Sequence, residues 1–108
     1  MIVWNENKDL FIKPSPSFAT EKERQQYRDI QWRINKGSTL NVDFQSVETL
    51  NTLGCLILTS WWNHSIRQNV NMIIRNPNEK MRKSLQRIGL GKLLEKENKQ
   101  NEEKAANF

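Results

Sequence analysis

The sequence predicts an α/β fold: a mixed, mostly parallel sheet of four to five strands covered by helices. Three observations carry that expectation. Short β-prone runs alternate with longer stretches of helical periodicity, which calls for crossover connections. Leu40, Val42 and Phe44 alternate with Asn41 and Asp43, the period of a strand with one core face. Asn71–Arg75 (NMIIR) carries a continuous apolar run, Met72 to Ile74, that suits a strand buried on both faces.

The elements follow in order. Met1–Trp4 and Leu10–Lys13 flank the turn formers Asn5 to Asp9 and predict a β-hairpin. Pro14 and Pro16 end the second strand. A helix is expected from Thr20, with Thr20 and Glu23 as a capping box, Tyr27, Ile30 and Ile34 as its apolar stripe and Gly37 closing it. After the Leu40–Phe44 strand comes a crossing, 45–51, with Val47 and Leu50 turned inward. A central helix starts at Asn51 or Thr52 and runs to about Gln68 or Asn69. Asn71–Arg75 follows, then an Asn-Pro-Asn turn. Asn78 caps a last helix with Met81, Leu85 and Ile88 on one side and Gly89 at its end. Gly91–Leu94 adds a strand or lies on the core. The order is β-β-α-β-α-β-α.

The 108 residues make one domain, assigned to 1–95. Residues 96–108, KENKQNEEKAANF, form a charged tail expected to be a frayed helix or disordered. No signal peptide and no membrane span are expected, because the most apolar stretch, Leu50–Trp62, is short and interrupted by polar residues. The single cysteine, Cys55, excludes an internal disulfide and suits a reducing, cytoplasmic setting. Net charge is +5, but basic residues are spread among acidic ones, which reads as a solvated surface.

The central helix is the unusual element. At roughly 100° per residue, Leu53, Leu56, Ile57 and Trp61 span one face while Cys55, Leu58, Trp62 and Ile66 fall opposite. Two opposed stripes predict burial on both sides, or one stripe on the core and one on a partner. Asn51 and Thr52 stand at the helix mouth, where free N–H groups favour an anion or an attached phosphate. Gly54 in the first turn suggests a close backbone approach.

No enzyme is expected. His64 has no partner at ligand spacing, and it stands about 13 Å of helical rise from Cys55, too far for a nucleophile–base pair. No metal-ligand spacing, dinucleotide fingerprint or phosphate-binding loop is present, so no cofactor is assigned. Lys80, Arg82, Lys83, Arg87 and Lys92, with Arg24, Arg28, Arg33 and Lys36, leave a basic nucleic-acid-binding domain as an alternative, without any accompanying recognition motif.

The element order and the central stretch together resemble the STAS domain, in the stand-alone form of anti-anti-sigma factors. Val42-Asp43-Phe44-Gln45-Ser46-Val47 is similar to that family's V-D-L-S-G-V strand exit, and Asn51-Thr52-Leu53-Gly54 then falls on its D-S-S-G motif. Arg75-Asn76-Pro77 and Ile88-Gly89-Leu90 are similar to its last strand, turn and helix end; the likeness spans residues 8–95. The resemblance implies a non-enzymatic anti-sigma factor antagonist that binds an anti-sigma-type ATP-dependent kinase through Asn51, Thr52, Leu53 and Gly54. Leu58, Trp62 and Ile66 would extend the contact. The family's phosphorylated serine corresponds to Leu53, which cannot accept phosphate, so Thr52 is the candidate phosphoacceptor. One family branch pairs threonine and glycine at this spot: the cytoplasmic STAS subunit of a phospholipid-trafficking ABC transporter, which docks on the ATPase. It is the first alternative.

Overall fold

The computed structural model describes residues 1–16, 18–34 and 37–94. The expectation for the tail falls outside them. The chain is an α/β domain built on a four-stranded mixed sheet in the order β1(Ile2–Glu6), β2(Asp9–Lys13), β3(Thr39–Asp43), β4(Asn71–Arg75). β1 and β2 are antiparallel; β2–β3 and β3–β4 are parallel. The crossovers carry α1(Arg24–Gln31), entered through a 3-10 turn at Glu21–Glu23, and α2(Thr52–Arg67). α3(Glu79–Arg87) and a 3-10 turn at Gly91–Leu93 follow β4.

The hairpin closes on Asn7-Lys8, with Glu6 opposite Asp9. Asn7 takes φ 57°, which asparagine tolerates better than most residues and which matches the twist of a two-residue turn. Because β2, β3 and β4 lie side by side in chain order, right-handed crossovers put α1 and α2 on the same face. Burial agrees: Leu10, Ile12, Leu40, Val42, Met72 and Ile74 are buried on alternate positions of three strands. With Tyr27, Ile30, Leu58, Trp61, Met81 and Leu85 they form one core. The helices therefore cover one face of the sheet. The other face holds Trp4, Phe11, Asn41 and Ile73 in one cross-strand row. Ile73 is half-buried there, so β4 is not buried on both faces as its apolar run suggests.

Three expected details differ. α1 ends at Gln31, well short of Gly37, although Ile34 still packs into the core beyond it. Thr20 does not cap with its side chain; its hydroxyl donates to the Glu23 carboxylate at 3.0 Å, while the Glu23 N–H takes the Thr20 carbonyl at 3.1 Å. Ile88 is exposed, at the end of α3, where only Met81 and Leu85 reach the core.

The helix ends explain why the turns are short. Asn69 (φ 54°) and Gly89 (φ 83°) follow α2 and α3 in left-handed conformation. The Val70 N–H returns to the Ser65 carbonyl at 2.8 Å, and the Leu90 N–H to the Leu85 carbonyl at 2.8 Å. Both are the six-to-one bonds of a Schellman ending, and in each the next apolar residue, Val70 or Leu90, is buried. The first delivers the chain straight into β4. Past α3, Leu94 makes a single parallel bridge to Ile74 at the outer side of β4.

Candidate functional site

The mouth of α2 is built from three segments. Asn51 caps the helix: its Oδ1 accepts from the Gly54 N–H at 2.7 Å, and its Nδ2 donates to the Ala19 carbonyl at 3.3 Å. Ala19 is held from its other side, where its N–H donates to the Tyr27 hydroxyl at 2.9 Å. This double grip fixes Ala19 at φ 68°, a conformation that costs an alanine free energy and persists only where its surroundings hold it. The result delivers Phe18 beneath the helix mouth. Its ring meets Tyr27 at 5.2 Å, Phe44 at 5.3 Å and Trp61 at 6.3 Å between centroids. Burial pushes the Tyr27 phenol above its ordinary pKa, and the Ala19 N–H offsets part of that rise.

Gly54 is where the close approach occurs. A methyl group placed there would lie 2.8 Å from Leu50 Cδ1, 3.2 Å from Phe18 Cε1 and 3.3 Å from Asn51 Oδ1. The glycine thus serves internal packing of α2 on Phe18.

The two apolar stripes of α2 turn out to flank the buried face. Gly54, Ile57, Leu58, Trp61 and Ser65 are the buried positions. On a helical wheel they centre about 90° from each predicted stripe. The core therefore takes Ile57 and Trp61 from one stripe and Leu58 from the other. The centre of the buried face is marked by Gly54 and Ser65, small residues that add nothing to an apolar pattern. Ser65 satisfies its hydroxyl on the Trp61 carbonyl at 2.8 Å, and Trp61 Nε1 donates to the Tyr27 carbonyl at 2.9 Å.

This corrects the expected contact surface. Leu58 is completely buried and cannot belong to a docking surface. Trp62 is half-buried, with Lys92 Nζ 4.0 Å from its ring centroid, so Lys92 already covers part of that flank. Ile66 is exposed but separate. Cys55 is half-buried and its thiol is pushed above its ordinary pKa by desolvation. The other flank is open. Leu53 is half-buried and Leu56 is 60% exposed in the first two turns of α2.

Leu53, Leu56, Ile57 and Ser60 form one wall of a groove of about 150 Å³, with Arg24, Arg28 and Gln31 of α1 opposite and Tyr27 and Trp61 at its base. One turn further along α2, His64 meets Trp32 edge-on at 6.3 Å between ring centroids. Trp32 is 78% exposed. Arg24 makes an exposed ion pair with Glu21 at 3.4 Å, while Arg28 leaves its charge on the groove rim. Asn51 and Thr52 are exposed beside this groove, and Leu53 and Gly54 belong to the helix turn that borders it.

The structure thus brings Asn51, Thr52, Leu53 and Gly54 together at the α2 mouth and separates them from Trp62 and Ile66. Reading the sequence missed Leu56 as a surface residue and missed Trp32 altogether. The available signal was that Trp32 lies off the Tyr27–Ile30–Ile34 stripe, so a large aromatic was left without a place in the core. Among the described residues no group of three His, Cys, Asp or Glu side chains gathers as a metal site, and no helix is long and apolar enough to cross a membrane. The chain matches no protein-family model and no curated protein sequence.

Proposed function

We propose that this chain is a STAS-like, non-enzymatic docking protein of the anti-sigma factor antagonist type. Its contact surface is the groove between α1 and the N-terminal half of α2, with Thr52 beside one end and Trp32 beyond the other. The observation that carries this reading is an arginine-rimmed groove walled by Leu56, 60% exposed, with Trp32, 78% exposed, set against His64 one turn beyond it. Isolated exposed leucines need no explanation, but an exposed tryptophan near a groove walled by leucines and arginines is the composition of a binding hot spot. The order of strands and helices and the position of the helix mouth support the STAS assignment.

The partner that fits sets an apolar side chain between Leu53 and Leu56 and places acidic groups against Arg24 and Arg28. An anti-sigma-type ATP-dependent kinase is the partner class the STAS resemblance implies. Thr52 is exposed at the first position of α2 and stays the candidate phosphoacceptor. A phosphate there would add about two negative charges beside the groove and repel an acidic partner, releasing it.

The test is co-purification of the native chain and its Trp32→Ala and Leu56→Asp variants, followed by calorimetric titration of the recovered partner. A kinase bound by the native chain and lost by both variants supports the reading. Recovery of ABC-transporter subunits alone would replace it with the transporter-subunit reading, and binding unaffected by both substitutions would move the contact elsewhere.

A further inference from the structure

The free edge of the sheet is built differently from the rest of the surface. In a two-residue hairpin the pair flanking the turn is hydrogen-bonded, and bonded and non-bonded pairs alternate from there. Counting from Glu6–Asp9, the pairs Trp4–Phe11 and Ile2–Lys13 bond inward. The N–H and C=O groups of Val3 and Asn5 therefore point out of the sheet. At the opposite edge Leu94 bridges β4 at Ile74, while no described residue pairs with the outer side of β1.

Natural edge strands are blunted by charge, proline or a bulge. β1 has none of these over Ile2–Asn5. It instead exposes two large apolar side chains, Ile2 (60%) and Trp4 (39%), on the face that no helix covers. The Trp4 ring is already held in place, stacked on Phe11 at 5.3 Å and 10°. In a molecule of net charge +5, the Arg33 guanidinium reaches this edge at Asn5, donating to its Oδ1 at 2.8 Å, so a second copy can approach with least repulsion along Ile2–Trp4.

We propose that β1 is the contact edge of a reversible homodimer, in which β1 strands of two copies pair antiparallel about Val3. Three symmetric registers use the outward groups of Val3 and Asn5, and side-chain matching separates them. Pairing about Trp4 sets Ile2 opposite Glu6 of the second copy, and pairing about Asn5 sets Trp4 opposite that glutamate. Pairing about Val3 sets Ile2 beside the second copy's Trp4, twice, in the non-hydrogen-bonded positions where side chains lie closest. It also leaves both Glu6 carboxylates beyond the paired segment. The two sheets become one of eight strands. A single strand pairing with two apolar contacts falls at the small end of interface sizes, so the dimer is weak and concentration-dependent.

Sedimentation velocity of the full chain across a concentration series tests this. The expected result is a monomer–dimer equilibrium that Ile2→Lys and Val3→Pro each weaken at least ~10-fold, while Trp32→Ala leaves it unchanged. Val3→Pro removes only an outward N–H, so circular dichroism should stay native; Ile2→Lys serves should it not. In a Cys55→Ser background, Val3→Cys should form an interchain disulfide on mild oxidation, and Asn5→Cys should not. A monomer up to millimolar concentration, a dimer that survives Ile2→Lys, or preferential linking through Asn5→Cys overturns the proposal. Loss of the dimer in Trp32→Ala would place the self-contact in the helical groove and overturn it equally.

Discussion

Gly54→Ala sets two effects of opposite sign against each other. In an exposed helix the change gains up to about 1 kcal/mol of propensity. At this position the added methyl would sit 2.8 Å from Leu50 Cδ1 and 3.2 Å from Phe18 Cε1. Leu50 is half-buried and its terminal methyl can rotate away. Phe18 cannot, because Tyr27, Phe44 and Trp61 surround its ring. The helix must lift instead, and lifting stretches the 2.7 Å bond from the Gly54 N–H to Asn51. Overpacking of this kind costs roughly 1–3 kcal/mol, and a weakened cap adds up to about 1 kcal/mol. The steric terms win, and the expected net loss is about 1–2 kcal/mol, a fall in Tm of roughly 4–10 °C for a domain of this size. Urea unfolding followed by tryptophan fluorescence measures it, with Leu50→Ala made alongside. If Leu50 were the true obstacle, Leu50→Ala would rescue Gly54→Ala fully; partial or no rescue is expected. A Gly54→Ala protein more stable than the parent would refute the packing of α2 on Phe18.

Other consequences are as direct. Tyr27→Phe leaves the Ala19 N–H buried without its acceptor and should cost about 1–3 kcal/mol, read by the same unfolding curves. Burial raises the Tyr27 pKa above 10.0, so the unfolded chain releases that proton first. Stability should therefore fall as pH rises past about 10, a slope that Tyr27→Phe reduces. Asn51→Ala removes the α2 cap and its part-buried tie to Ala19 and should cost about 1–2 kcal/mol, against about 1 kcal/mol for Asn78→Ala, which caps α3 through the Met81 N–H at 2.7 Å and whose tie to the Glu48 carbonyl at 2.9 Å is solvent-exposed. Trp32→Ala should leave Tm within a degree or two yet weaken partner binding on the order of 30-fold, as measured by calorimetry.

How far the sequence discloses the molecule depends on which signal each element uses. β4 was legible residue for residue because turn formers bound its apolar run on both sides. The caps at Asn51 and Asn78 were legible because an Asx N-cap is a local interaction. The end of α1 was not: Ile34 continues the helical spacing and is buried, but it reaches the core from a turn. The orientation of α2 was also hidden. Hydrophobic periodicity locates a buried face by its large residues, and here the face is centred on Gly54 and Ser65, where the backbone itself comes close. Two flanking stripes then look like two opposed faces. The Phe18–Ala19 grip depends on bonds to Tyr27 and Asn51, far along the chain, and left no local trace.

That orientation bears on how the α2 mouth can work. Leu53 stands where the STAS resemblance places a phosphorylated serine, and it lines the groove. Thr52, the available hydroxyl, is exposed and lies outside the groove lining. A phosphate on Thr52 would therefore act on a partner through charge across the rim, where solvent screening weakens it. An apolar side chain at 53 acts by direct contact, which salt does not screen. The proposed docking thus draws on two residues of one wall, Leu53 and Leu56, and the switch on a neighbour of that wall. Docking can hold without phosphorylation, and a phosphate at Thr52 would lower a partner's affinity for the groove only through this screened charge, whether it is added before or after the partner binds.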